Sequence, residues 1–134
     1  MKLKLLGIFI ITLFFLPLSG CDTALTVGSK TVGIRSGGFI YTDGYLHATY
    51  NFSFDRVYAA CEKLLVGMKA TDITYIKKIS HGDFMAMVQN EKIRINVDYL
   101  EKGLTSVSVM AGTSGNQIAS QLIHDRLEET LKTP

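Results

Sequence analysis

The chain has 134 residues, 14 Lys+Arg against 12 Asp+Glu, two cysteines and no tryptophan. That is the length of one domain with a short extension. The near-balance of charge excludes the basic field that a nucleic-acid binder needs, so no nucleic-acid partner is expected.

The extension is the N-terminus. Lys2 and Lys4 precede a charge-free run from Leu5 to Leu16, which is followed by Pro17 and the small pair Ser19-Gly20. A basic start, an apolar centre and a small-residue end are the three parts of a secretory signal. Twelve apolar residues are short of the about 20 that a membrane-spanning helix requires. Leu18-Ser19-Gly20-Cys21 resembles the lipobox of bacterial lipoproteins. That resemblance implies cleavage between Gly20 and Cys21, an S-diacylglycerol on the Cys21 thiol and an N-acyl group on its freed amine. Two or three buried chains hold a protein to a membrane where one does not. The expected partner there is membrane lipid, and the expected address is the cell envelope, on the periplasmic or exterior side. Asp22 resembles an inner-membrane retention signal and leans the assignment that way, with the outer membrane left open. A lipidated Cys21 cannot pair with Cys61, so no disulfide is expected.

Removal of residues 1–20 takes Lys2 and Lys4 with it and leaves 12 positive against 12 negative side chains. Residues 21–38 are rich in Gly, Thr and Ser without a sustained period, and read as a lipidated start and tether. An edge strand at Leu25-Thr26-Val27 is the alternative. Residues 39–134 read as a single domain.

Phe39–Asn51 is aromatic and β-branched, which favours strand. Asp43-Gly44 in its middle is either a two-residue hairpin turn or a bulge in one strand. Ser53 is placed to cap a helix with its side chain. Phe54, Val57, Tyr58, Cys61, Leu64, Leu65 and Met68 then recur at spacings of three and four, an amphipathic helix. Strand patterns follow over Asp72–Ser80, Phe84–Gln89, Lys92–Leu100 and Leu104–Met110. His81-Gly82-Asp83, Asn90-Glu91 and Lys102-Gly103 read as the turns between them. Ser114 or Asn116 caps a last helix with an apolar stripe of Ile118, Leu122, Ile123, Leu127 and Leu131. The expected fold is α+β in two layers: an antiparallel sheet of four to five strands, two helices on one face, order β-α-β-β-β-α.

The lipobox, Tyr41 with Gly44-Tyr45-Leu46, the helix start Phe54-Asp55-Arg56-Val57, and Val107–Asn116 leading into Ser120-Gln121-Leu122-Ile123 together resemble a family of short bacterial lipoproteins grouped as one domain of unknown function. The resemblance implies a lipid-anchored envelope domain and no enzymatic role. Met110 stands where that family usually has a charged residue.

The candidate sites are few. Tyr41, Tyr45 and Tyr50 belong to a cluster of rings that suits a recognition edge for an envelope protein or glycan. His47, His124 and Asp125 converge if the last helix packs on the first strand, and would then serve a small-ligand or metal module or a hydrolase. Cys61, on the apolar helix face, reads as a core thiol. Gly112–Asn116 precedes a helix, where free N–H groups hold anions, but lacks the Lys-Ser/Thr of a P-loop. No catalytic residue, metal ligand or cofactor is assigned. The sequence therefore favours a non-enzymatic envelope binding module.

Overall fold

The computed structural model describes residues 35–134. The elements run β1 (Arg35–Thr42), β2 (Tyr45–Tyr50), α1 (Phe54–Gly67), β3 (Thr71–Lys77), β4 (His81–Val88), β5 (Glu91–Glu101), β6 (Leu104–Ala111) and α2 (Gln117–Lys132). The six strands form one sheet in the order β1-β2-β6-β5-β4-β3. Every neighbouring pair is antiparallel.

This corrects the expected architecture. The sheet has six strands rather than four or five, and the order is β-β-α-β-β-β-β-α rather than β-α-β-β-β-α. One cause is Asp43-Gly44, whose φ values of 52° and 81° are both positive. That is the conformation of a two-residue hairpin turn whose twist matches the flanking strands, so the aromatic stretch folds back as two strands. β1 also begins at Arg35, inside the segment expected to be tether. A second cause is His81-Gly82-Asp83, which lies within β4 rather than between strands. Gly82 faces the helices, and a Cβ there would overlap the Tyr58 ring. The glycine serves that contact, and the chain turns instead at residues 78–80. The next turn is at Gln89-Asn90, with φ of 50° and 66°.

Strand alternation sorts the sheet into two faces. Leu46, Ala48 and Tyr50 of β2, Phe84 and Ala86 of β4, Ile93, Ile95 and Val97 of β5, and Val107, Val109 and Ala111 of β6 are buried. All of these but Leu46 meet Val57, Tyr58, Cys61, Leu64 and Leu65 of α1 and Ile123, Leu127 and Leu131 of α2 in one core. The opposite face carries His81, Asp83, Met85, Arg94, Asn96, Asp98, Ser106, Ser108, Tyr45 and His47, and no described element lies over it. α1 carries the chain from β2 to the far edge of the sheet, and α2 returns it to β2 and β6.

The helix ends show which local signals act. Ser53 holds the N-cap position of α1 through its carbonyl, which accepts from Val57 N at 3.1 Å, but its side chain makes no cap bond. Asn116 caps α2 with Oδ1, which accepts from Ala119 N at 3.1 Å. The buried stripe of α2 is Ser120, Ile123, His124, Leu127 and Leu131. Ile118 and Leu122, expected inside, are 83% and 54% exposed. The helix is turned so that two polar side chains enter the core in their place.

Candidate functional site

Cys21, the Gly20–Cys21 cleavage point and Asp22 lie outside the described residues. The remaining candidates are in the sheet and α2.

The three tyrosines do not share an edge. Tyr50 is fully buried, with its hydroxyl 2.8 Å from His124 Nδ1. It is a core residue, which corrects its assignment to a binding edge. Tyr41 pairs with Leu46 and so projects on the helix side of β1, where it is 39% exposed. Tyr45 points to the opposite face, its ring 6.3 Å from that of His47. A ligand reaching Tyr45 over the sheet does not reach Tyr41.

His47 and His124 also part. His47 stands on the open face of β2, and its Nδ1 lies 2.7 Å from Ser108 Oγ. His124 is on the other side of the sheet, fully buried. Its Nε2 is 2.8 Å from Leu46 O. A carbonyl only accepts, so Nε2 carries the hydrogen. His47, His124 and Asp125 therefore make no common site, since a β-sheet separates the two rings. Among the described residues no group of three or more His, Cys, Asp or Glu is arranged to hold a metal ion.

Cys61 is buried in α1, as its place on the apolar stripe predicts. Burial pushes its thiol well above the ordinary range, and the nearby Glu62 adds to the shift. A thiolate is the reactive form, so this is an inert packing group. Gly112–Asn116 is occupied in capping α2 and in a close contact with the β1–β2 turn.

The polar cluster that the structure does assemble is His81 with Asp83 and Asp98. His81 and Asp83 are two apart on β4 and share a face; Asp98 faces His81 from β5. Nδ1 meets Asp98 Oδ1 at 2.5 Å and Nε2 meets Asp83 Oδ2 at 2.8 Å. Ionised carboxylates only accept, so a ring donating to both is an imidazolium. The hydrogen bond to Asp98 is the largest cause and raises the His81 pKa above its ordinary value; burial, next in size, opposes it, and the hydrogen bond to Asp83 and the charges of both carboxylates add to the rise. A His-x-Asp spacing puts both side chains on one face if the segment is a strand; that signal is in the sequence but is hidden if the segment is taken as a turn.

This cluster makes stability depend on pH. A histidine whose pKa is higher folded than unfolded stabilises the fold fully below its unfolded value, and the gain is lost as pH rises through the folded value. The side chains are about a third exposed or more, so solvent screening limits the gain to about 1 kcal/mol. His81→Gln is expected to melt below the parent at pH 5 and level with it at alkaline pH. Thermal melts of both across that range check this; a difference that widens with pH would contradict it.

A family model matches residues 4–130, nearly the whole chain, including Leu18-Ser19-Gly20-Cys21. The chain belongs to the family DUF3568, a family of proteins of unknown function. No curated protein matches the chain. In this member Met110 of β6 faces Arg94 across the open face, and its Sδ accepts from Arg94 Nη1 at 3.6 Å.

Proposed function

We propose that this protein is a bacterial envelope lipoprotein, anchored by lipid on Cys21, whose domain is a non-enzymatic module for binding an envelope protein or glycan. The observation that carries the anchor is the order Lys2/Lys4, Leu5–Leu16, Leu18-Ser19-Gly20-Cys21. The lysines orient the segment, the apolar run inserts it, the small residues admit the peptidase, and the cysteine takes the acyl chains. Among the described residues no helix is long and apolar enough to cross a membrane, so the acyl chains are the proposed hold.

The binding half of the proposal rests on the open sheet face. A face with Tyr45, His47 and Asn96, the buried Ser108 holding His47 through Nδ1, offers a ring and hydrogen-bonding groups on a rigid support. Rigid display lowers the entropic cost of binding. Asp22 favours retention at the inner membrane.

Metabolic labelling with a palmitate analogue tests the anchor. The parent chain is expected to take the label and to sediment with membranes. Cys21→Ser is expected to lose the label and to accumulate as an uncleaved precursor. A parent chain without label, or a labelled Cys21→Ser chain, overturns the anchor.

A further inference from the structure

We propose that the cleft between the C-terminal end of α1 and the first turns of α2 binds a free amino acid with an apolar side chain, its carboxylate on Arg126 and its ammonium on Glu91.

The helix layer does not close over one end of the sheet. A cleft of about 280 Å³ remains there, floored by Val88 of β4, Ile93 of β5 and Ala111 of β6. Ile93 and Ala111 face each other across the β5–β6 pair. Met68 borders the cleft from the end of α1, and Ala119, Leu122 and Ile123 border it from α2. Small side chains leave the space. Sheet and helix meet here, where Ala111 N donates to Ser120 Oγ at 3.2 Å, yet the contacting positions 111 and 119 are both alanine. Protein interiors are otherwise filled to crystal-like density, and an apolar cavity of about 150 Å³ already admits a benzene-sized group. The cleft also gives a use to Leu122, which is 54% exposed on α2 and forms part of its wall.

Two opposite charges stand at the rim. Glu91 is two residues before Ile93 on β5 and so projects on the same, helix-covered side. Gly112 lies against it: a Cβ there would be 3.3 Å from Glu91 Oε2, so the glycine leaves that oxygen open to the cleft. Arg126 lies one turn beyond Leu122 and Ile123 on α2 and faces the same space. Neither charge is used elsewhere. The ion pairs among the described residues are Lys77 with Asp55, His81 with Asp83 and Asp98, and Lys132 with Glu128. Glu91 and Arg126 stand too far apart to pair with each other, and Glu129, one turn beyond Arg126, does not pair with it either.

That arrangement selects the ligand. An apolar floor with one unpaired charge of each sign fits a molecule that has an apolar body and both charges close together. A free aliphatic amino acid is such a molecule. Its side chain rests on Ile93 and Ala111, its ammonium meets Glu91, and its two carboxylate oxygens take the guanidinium fork of Arg126. A fatty acid offers nothing to Glu91. A peptide end carries one of the two charges and lacks the other.

The cleft is on the helix side of the sheet, so this inference stands or falls apart from any partner of the open face. Its test is a saturation-transfer NMR titration of the full-length chain in lipid nanodiscs. L-leucine is expected to bind saturably at about millimolar concentration, and glycine, without a side chain, at least tenfold more weakly. Leucinamide has the ammonium alone and N-acetylleucine the carboxylate alone. Each is expected to bind about fivefold more weakly than leucine, the size of one exposed ion pair. Arg126→Gln is expected to weaken leucine about fivefold and to leave leucinamide unchanged. Glu91→Gln is expected to weaken leucine equally and to leave N-acetylleucine unchanged. Both side chains are exposed, so folding is preserved. Absence of saturable leucine binding, either blocked derivative binding as tightly as leucine, or charge variants that weaken all three probes alike overturns the proposal.

Discussion

Gly115→Ala is expected to destabilise the domain by about 3 kcal/mol, although residue 115 lies in a surface loop. Two effects add. Gly115 has φ +91°, a region that costs an L-residue about 1–3 kcal/mol. A Cβ there would also overlap Gly44 O and lie 2.5 Å from Gly44 Cα and 2.8 Å from Gly44 C. These are backbone atoms of the β1–β2 turn and cannot rotate away. The turn has to move, and overpacking of that kind costs about 1–3 kcal/mol. Gly44 is itself at φ +81°, against Ser114 O. The two glycines thus let the β1–β2 turn rest on the loop that launches α2, and they tie the first hairpin to the last helix. For a domain of this size the melting temperature should fall on the order of 15 °C. Gly103→Ala is the comparison. Gly103 has φ +76° with nothing near its absent Cβ, so it carries the torsional cost alone, about 1–2 kcal/mol. Denaturant titrations of both variants check the claim. Equal losses would mean that the contact with Gly44 contributes nothing.

That contact shows what a sequence does and does not reveal. Asp43-Gly44 carries the chemistry of a hairpin turn, yet a bulge fits the same two residues. The contact on which the turn rests is with Gly115, 71 residues beyond Gly44. β5 is the legible case: Ile93, Ile95 and Val97 alternate with Arg94, Asn96 and Asp98, and the structure buries the first set and places the second on the open face. Its partners did not have to be known. α1 is legible for the same reason, since its seven buried residues include six of those at the predicted spacings. β4 is not, because His81-Gly82-Asp83 has turn composition and its strand state is settled by Tyr58 and Asp98, neither of them local. The stripe of α2 fails on the same ground. Hydropathy ranks Ile118 and Leu122 above Ser120 and His124. The polar pair enters the core because β2 and β6 supply hydrogen bonds: Ala111 N donates to Ser120 Oγ at 3.2 Å, and Leu46 O accepts from His124. The tyrosines follow from this. Tyr50 reads as an edge residue until the histidine that holds its hydroxyl is in view.

His124→Leu is expected to cost about 2–4 kcal/mol, a large loss for a substitution that raises the hydropathy of the core. The imidazole is fully buried, between the Tyr50 hydroxyl at 2.8 Å and Leu46 O at 2.8 Å. It lies nearly parallel to the Tyr50 ring, at 17°, with Phe39 tilted against it at 5.2 Å. Leucine fills much of the volume but offers nothing to the hydroxyl or the carbonyl. A buried polar group left without its partner costs about 1–3 kcal/mol, and two are affected here. The Tyr50 hydroxyl keeps a weaker contact, 3.3 Å from the backbone oxygen of residue 124, which places the cost below the full sum. Tyr50→Phe makes the reverse cut and should cost about 1–2 kcal/mol, since Nδ1 loses the hydroxyl while Nε2 keeps its carbonyl. The double variant Tyr50→Phe/His124→Leu removes both ends of one bond and should lose less than the two singles together, by about 1 kcal/mol. Denaturant unfolding of the four chains measures that coupling directly. Strict additivity would mean that the histidine acts by packing alone. Coupling of the expected sign assigns it to fastening α2 against β2, a stabilising role that leaves it unavailable to any ligand on the open face, where His47 and His81 stand.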